Sequence, residues 1–599
     1  LGALRPRLPL GTLGAYRSLR TGGSGRAGGT RGTDDRAGAA HRLAAAGRNA
    51  PAAAASAINV HKIPPSLTLA PPWNSGRKLP EGLLYPILLE PGWCQAAKLG
   101  ENPPFFGQNF PCRPLQSSSG WAIIKKTPLH PAQGGRVTVK NILFILTDDQ
   151  RYNTIAACGN PDIQTPVMDR LVREGTCFTQ AHIPGGTSGA VCMPSRAMLN
   201  TGRTLFHLQE EGQDIPPEHT CMGEAFRQAG YETFGTGKWH NGPPAYSRSF
   251  SCGDNIFFGG MWDHWNVPTC YYDPTGEYDN VINFVVNFSY NNKPFRVNCD
   301  KFNPGKHSSE LLSDTAIEYL DKRGQGDSDQ PFFLYLAYLA PHDPRTMPEE
   351  FKNMYDPEKI TLPKNFKTEH PFRYGVEDIR DEVLAAYPRE EAEVRRHLAE
   401  YYGMISHLDH EIGRVIAKLE EIGELDNTII VLTGDNGLAV GCHGLMGKQN
   451  LYDHSVRVPL LMRGPGIPAG EKRDQYVYLL DIFPTLCELN GLPIPSSVEG
   501  KSFAPAIADP AAKTRDSLYF AYNDLLRAVK DDRYKLIEYR TTTRHTQLFD
   551  LQNDPDELQD LSGLPEYAGT VERLRGLLFT YRDAWESEHP YSKAFWGNF

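Results

Sequence analysis

The sequence predicts a doubly wound α/β fold, a mostly parallel central sheet flanked by helices, followed by a small α+β subdomain built on antiparallel strands. Four short, continuously apolar runs read as strands buried on both faces, as parallel strands are. A long segment of helical apolar spacing lies between the last two, and strands alternating with helices imply a parallel sheet. After Arg515 the texture shifts to short alternating stretches, which is how half-buried strands read.

Residues 1–138 are rich in Gly, Ala, Arg and Pro and carry little periodicity, so they are expected to stand outside the fold as a low-complexity leader, a linker or an upstream extension. Their Arg-rich start lacks the apolar stretch of a signal peptide. From Val137 onward the pattern changes. The run Asn141–Thr147 ends in Asp148-Asp149-Gln150, and 231–235 leads into Gly237-Lys238-Trp239-His240. The run 332–339 leads into Pro341-His342-Asp343, and 427–433 ends in Gly434-Asp435-Asn436-Gly437. Between these, 391–422 places Val394, Leu398, Tyr402, Ile405, Leu408, Ile412, Val415 and Leu419 on one helical face, with Gly423 at its end. Stretches 519–522, 527–530, 534–537 and 546–551 are the predicted late strands. The expected domains are therefore 139–512 and 513–599.

Composition narrows the function classes. At 599 residues, 40% hydrophobic and 22% charged, the chain has the make-up of a large globular protein, not of a fibrous or wholly disordered one. Its net charge is −9, and nine Arg of the first fifty residues offset a more acidic remainder, which disfavours a nucleic-acid partner. No run reaches the roughly 18 apolar residues of a membrane helix. Eleven cysteines without a C-x-x-C pair suggest neither a disulfide scaffold nor a zinc site.

Doubly wound sheets bind ligands beyond the carboxyl ends of their strands, where these four runs deliver ionisable groups. Asp148 with Asp149 and Asp435 with Asn436 form two oxygen-rich pairs that suit a hard cation, Ca²⁺ before a transition metal. Neighbouring buried carboxylates repel unless a cation or Arg neutralises them; taken singly, such a pair also fits a cap or a solvated turn. Cys192-Met193-Pro194-Ser195-Arg196, continuing to Gly202, reads as one short helix whose N-terminal amides face an anion. Cys192 is then either an inert buried thiol or a thiolate nucleophile with Arg196 cradling an oxyanion. A thiolate phosphatase, however, spaces its Cys and Arg more widely and leaves the oxygen pairs unexplained.

As an ordered set these motifs resemble the type I sulfatases of the alkaline phosphatase superfamily. There a C-x-P-S-R motif, matched by Cys192, Pro194, Ser195 and Arg196, is read by a maturation enzyme that oxidises the cysteine to formylglycine. The likeness runs from about residue 141 to about 561 and includes Thr201-Gly202-Arg203, 437–448, 451–460 and Leu548-Phe549-Asp550-Leu551. It implies that formylglycine at position 192, as its hydrate, is the nucleophile. It further implies one Ca²⁺ bound by Asp148, Asp149, Asp435, Asn436 and the modified Cys192. Arg196 and Lys238 are implied to hold sulfate, His240 to act as the base, and His342 with Lys448 to sit at the leaving oxygen. Export to a periplasmic, secreted or lysosomal setting is implied as well.

Several residues carry two readings. Arg345, His443 and His454 are candidate substrate contacts, or a surface ion pair and core histidines. Phe257, Phe258, Trp262, Trp265, Tyr271 and Tyr272 either stack on sugar rings, Trp262 and Trp265 foremost, or form a local core. His407, Asp409 and His410 have metal-like spacing, but helix packing explains them. Cys252, Cys270 and Cys299 would pair in an oxidising compartment, where the sequon Asn287-Phe288-Ser289 would also matter.

The expected function is hydrolysis of an organic sulfate monoester, a sulfated carbohydrate above all. A phosphodiester or phosphonate-ester hydrolase of the same superfamily and a non-catalytic metal-stabilised binding protein are the alternatives.

Overall fold

In the computed structural model, residues 140–284, 295–326, 330–540, 544–586, 589–597 and 599 are described. The segment 1–138 and the Asn287 sequon lie outside them. Strand β1 (Asn141–Thr147) is buried at every position, which is why its sequence shows no alternation. Its neighbours form one sheet with β2 (Thr176–Phe178), β4 (Glu232–Lys238), β5 (Cys252–Phe257), β6 (Phe332–Ala337), β7 (Thr428–Gly434), β8 (Leu460–Arg463) and β9 (Glu471–Arg473), in the order β9-β2-β8-β7-β1-β6-β4-β5. The five strands β7, β1, β6, β4 and β5 run parallel, and β8 is antiparallel to both of its neighbours. The fold is thus the mostly parallel α/β sheet the sequence predicts.

Successive residues of β1 serve two cores. Leu143 and Ile145 face a layer that includes Leu312 and Leu320 of α3 (Ser308–Gly324) and Leu398, Ile405, Leu408 and Ile412 of α4 (Glu391–Glu421). Ile142, Phe144 and Leu146 face the other layer, with Ala197, Met198 and Leu199 of α2 (Cys192–Thr201). The period of two is the pleat of the strand expressed as two cores.

The polar residues of α4 serve packing. Asp409 accepts the backbone N–H groups of Met168 at 2.7 Å and Val167 at 3.0 Å, closing the first turn of α1 (Pro166–Glu174) from a distance in sequence. Burial nevertheless pushes its carboxyl up to about 7, against those two bonds. The His407 ring lies 4.7 Å from that of His307, and His410 is exposed.

A second sheet has the order β13-β12-β11-β10-β3, from β10 (Leu518–Tyr522), β11 (Leu526–Lys530), β12 (Tyr534–Arg540), β13 (Arg544–Asp550) and the two-residue β3 (Gly185–Gly186). The four late strands are antiparallel, whereas β3 joins β10 in parallel. An edge strand of this sheet therefore comes from the chain just ahead of α2. Buried ion pairs continue the junction: Asp453 accepts from Lys530 and Lys535, both at 2.9 Å, and Lys535 also reaches Glu557 at 2.8 Å.

Candidate active site

The register of four adjacent strands builds the site. Thr147 lies opposite Gly434, Leu146 opposite Ala337, and Ala337 opposite Gly237. All four strands end at one level, and Asp148-Asp149, Asp435-Asn436, Lys238 and the loop to His342 emerge side by side. Asp149 turns at once into the left-handed region, φ 67°, and its N–H donates to Asp435 Oδ1 at 3.1 Å. Gly237 has φ 88°, and a Cβ there would lie 1.9 Å from the Ala337 carbonyl oxygen, so only glycine lets β4 finish beside β6.

Helix α2 supplies the other half. Its last turn closes on Gly202, φ 66°, whose N–H reaches the Met198 carbonyl at 2.8 Å. Arg196 follows Cys192 by one turn and is fully buried. Its Nε is 2.8 Å from Asp435 Oδ2, its Nη2 is 3.2 Å from Asp148 Oδ2, and its Nη1 donates to the Lys238 carbonyl at 2.5 Å. The Cys192 Sγ lies 3.5 Å from both Lys238 Nζ and His240 Nδ1. Lys238 pairs with Asp148, and Lys448 Nζ with Asp149 Oδ1 at 2.6 Å. His342 Nε2 stands 3.7 Å from Asp149 Oδ2. Asn436 Nδ2 donates to Asp149 Oδ1 at 2.6 Å.

Opposed charges and burial set the protonation of this cluster. Burial works against ionised Asp148, but Lys238 and Arg196 hold it well below the usual carboxylate range. Burial and the charge of Asp148 push Asp435 up to about 6. Burial pushes the Cys192 thiol up to about 11, with Lys238 and Lys448 pulling the other way. His240 is held well below the ordinary imidazole value by burial and then by Lys238 and Arg196.

The donor set fits a hard cation. Oxygens of Asp148, Asp149 and a nitrogen of His342 lie within 4.8 Å of one another, as do atoms of Asp148, Cys192 and Asp435. Asp148 Oδ1 and Asn436 Oδ1 are buried without a hydrogen-bond partner, and such acceptors are costly unless something positive meets them. Three carboxylates and a carboxamide are the oxygen-rich kind of donor set that Ca²⁺ prefers.

The remaining candidates are placed elsewhere. Arg345 Nη1 is bonded to His397 Nδ1 of α4 at 2.6 Å. His443 stacks on Tyr452 at 3.8 Å between ring centroids and meets Asn365 Nδ2 at 3.1 Å, and His454 lies 5.6 Å from His443. Both histidines belong to an aromatic layer rather than to the strand-end cluster. Trp262 and Trp265 are half-buried, with ring centroids 6.0 Å from Phe302 and 5.2 Å from His307. Their loop touches the site through His264, whose Nε2 bonds the His342 carbonyl at 2.9 Å. Phe257 is buried and Phe258 packs on Tyr278, so part of the aromatic run is a local core. Cys270 and Cys299 are buried thiols, and Cys252 is buried in β5.

Sequence reasoning missed Tyr401, whose hydroxyl donates to the Asp149 carbonyl; Ser195, read only as a motif residue, donates its hydroxyl to the Asp435 carbonyl at 2.5 Å. It also missed Arg380, Asp381 and Gln449 around His342 and Lys448, and it gave no role to Asp343, which it placed beside His342. Arg380 and Asp381 sit in a stretch without periodicity or motif, so only their contacts reveal them.

The family model described as Sulfatase matches residues 140–492. The chain belongs to the sulfatase family. As such it is a sulfuric ester hydrolase of the arylsulfatase-like kind, and a second model, for the C-terminal part of N-sulphoglucosamine sulphohydrolase, matches 441–584 of this sulfatase. An ulvan-active sulfatase of Formosa agariphila is 30% identical over 451 residues, 72% of this chain and 78% of the relative. Two solved structures share the fold. One, in complex with its substrate D-glucosamine-2-N,6-O-disulfate, is 23% identical with a TM-score of 0.59, covering 76% of this chain and 100% of that one. The other, a phosphonate monoester hydrolase of Agrobacterium radiobacter, is 22% identical with a TM-score of 0.56, covering 74% and 96%.

Proposed function

We propose that this sulfatase hydrolyses a carbohydrate sulfate monoester by S–O cleavage, with Cys192 matured to formylglycine and one Ca²⁺ held by Asp148, Asp149, Asp435 and Asn436. The observation that carries this is the buried convergence of Cys192, two strand-end oxygen pairs and the cations Arg196, Lys238 and Lys448. Formylglycine at position 192 would supply, as its hydrate, one hydroxyl as the nucleophile and a second whose deprotonation would let sulfate leave. A cation held there would supply positive charge to the sulfate oxygens.

The chain's own residues do the rest. Arg196, fixed by Asp148 and Asp435, and Lys238 hold the sulfate oxygens without reorganising as charge develops. His240, beside position 192 and kept neutral by burial, accepts the proton of the hydroxyl there. His342 and Lys448 hold a proton for the leaving oxygen, which matters because a sugar alkoxide is a poor leaving group. As a thiol, Cys192 would stay protonated near neutral pH, which disfavours thiolate chemistry.

The carbohydrate reading is supported by the ulvan-active relative and by the half-buried Trp262 and Trp265 near the His342 loop. In the same proposal residues 139–512 carry the chemistry and 513–599 buttress it. A maturation enzyme and export to the periplasm, the exterior or the lysosome also belong to it. The phosphonate hydrolase neighbour favours one second reading, turnover of phosphonate or phosphate diesters. Parallel assays decide between them: phosphonate-ester turnover above sulfate-ester turnover would replace the first reading.

The first test is mass spectrometry of the tryptic peptide 174–196 from protein made in a host with the maturation enzyme. Cys177 in that peptide is the alkylation control, and its Sγ lies 3.9 Å from that of Cys158, so the sample is reduced first. An aldehyde at position 192 beside alkylated Cys177 is the expected result. Alkylation of both sinks the formylglycine mechanism.

A further inference from the structure

The two groups assigned to the leaving oxygen lie on separate loops, and one guanidinium joins them. Arg380 is bidentate on Asp343, with Nη1 2.5 Å from Oδ2 and Nη2 3.0 Å from Oδ1. Asp343 follows His342, whose Nδ1 lies 2.8 Å from the Asp343 carbonyl oxygen, its hydrogen-bond partner, and 3.3 Å from Asp343 Oδ1. The same Nη2 lies 2.5 Å from Asp381 Oδ1. Asp381 Oδ2 in turn accepts Gln449 Nε2 at 2.7 Å, and Gln449 Oε1 accepts the backbone N–H of Lys448 at 3.0 Å. The chain His342-Asp343-Arg380-Asp381-Gln449-Lys448 is therefore continuous.

Its ends are buried, with His342 5% and Lys448 3% exposed, whereas the Arg380 side chain is 42% exposed. An exposed ion pair adds little stability by itself. A planar fork holding two carboxylates at once does, however, fix their separation. We propose that Arg380 is a positioning residue that sets His342 and Lys448 against each other around the leaving oxygen. This rests on the proposed sulfatase chemistry. As the S–O bond breaks, its electron pair goes to the leaving oxygen, which takes a proton held there by His342 or Lys448. Proton transfer of this kind tolerates little misplacement.

The test uses the matured enzyme and a series of aryl sulfates from 4-nitrophenyl, a good leaving group, to phenyl, a poor one. In Arg380→Ala, kcat/KM should fall only a few-fold on 4-nitrophenyl sulfate but by about 100-fold on phenyl sulfate, the lower end of the range for a general acid. The fall should lie in kcat, and Arg380→Lys, a point charge without the fork, should be intermediate. Equal loss across the series, or no loss, overturns the positioning role. Thermal unfolding of both variants within a few degrees of wild type ensures that the slope reports chemistry. Matured wild-type enzyme that turns over neither the aryl series nor a panel of sulfated sugars overturns the proposed chemistry and the positioning role with it. Active wild type with an unchanged slope in both variants overturns only this one.

Discussion

Arg196 shows how one side chain ties the site together. It is completely buried, and its charge is tolerable because Asp148 and Asp435 flank it. Asp435→Ala should cost about 3–5 kcal/mol in denaturant unfolding, since Arg196 loses its closer partner. The same variant should lose response to Ca²⁺ in chelator titrations, and unchanged metal dependence would remove Asp435 from the ligand set. Cys192→Ala takes away no charge and should keep the wild-type melting temperature while losing all turnover; residual hydrolysis would mean another nucleophile. Asp148, Asp149, Lys238, His240, His342, Asp435 and Asn436 were readable in the sequence because they follow apolar runs, and Cys192 and Arg196 because they belong to C-x-P-S-R, whereas Lys448 came only with the resemblance. Arg380 and Asp381 follow neither, and only their contacts bring them to His342 and Lys448.

Between elements, side chains distant in sequence do the fastening. Asp409 caps α1 from α4, so Asp409→Ala should lose about 1–2 kcal/mol, the range of N-cap deletions, with kcat unchanged. The loop after α2 is held by Glu499, which accepts the Thr204 N–H, the Thr204 hydroxyl and His207 Nδ1, each at 2.8 Å. Burial works against its charge, yet the bonds from His207 and Thr204 bring it down to about 2 from 4.5. A carboxylate depressed in the fold stabilises above its unfolded value, and that contribution disappears as pH falls through the folded one. Melting temperature should therefore drop between pH 4.5 and 2, and Glu499→Gln should flatten that limb; an unaltered slope would show that other groups govern acid unfolding. Helix spacing had already placed Asp409 in a packed helix, but nothing local says that its partner is the N-terminus of α1.

Across the molecule, the second sheet takes a strand from the chain ahead of α2 and is tied to its own C-terminal segment by buried charge. Strand β3 leads directly from the second sheet into α2, and Arg527 is paired with Glu586 at 2.8 Å, both side chains fully buried. Arg527 also lies against the rings of Phe206 and Phe595, 5.2 and 4.6 Å from their centroids. Glu586→Ala should strand that guanidinium and cost about 3–5 kcal/mol. Calorimetry should show one shifted transition; two separated transitions would mean that the sheets unfold independently.

The sequence by itself determined the strand runs, the long helix and the kind of chemistry at the strand ends. Those signals are local, since burial on both faces leaves a continuous apolar run and a turn after a strand exposes the same few residues to one edge. Tertiary structure alone decided the strand order, the common level at which four strands stop and the two-residue β3, which is too short for any periodicity. It also decided that His443 and His454 join an aromatic layer and that Arg380 links two loops. Pairing register and ion-pair partners depend on segments hundreds of residues apart, and their energies exist only once the core has brought those segments together.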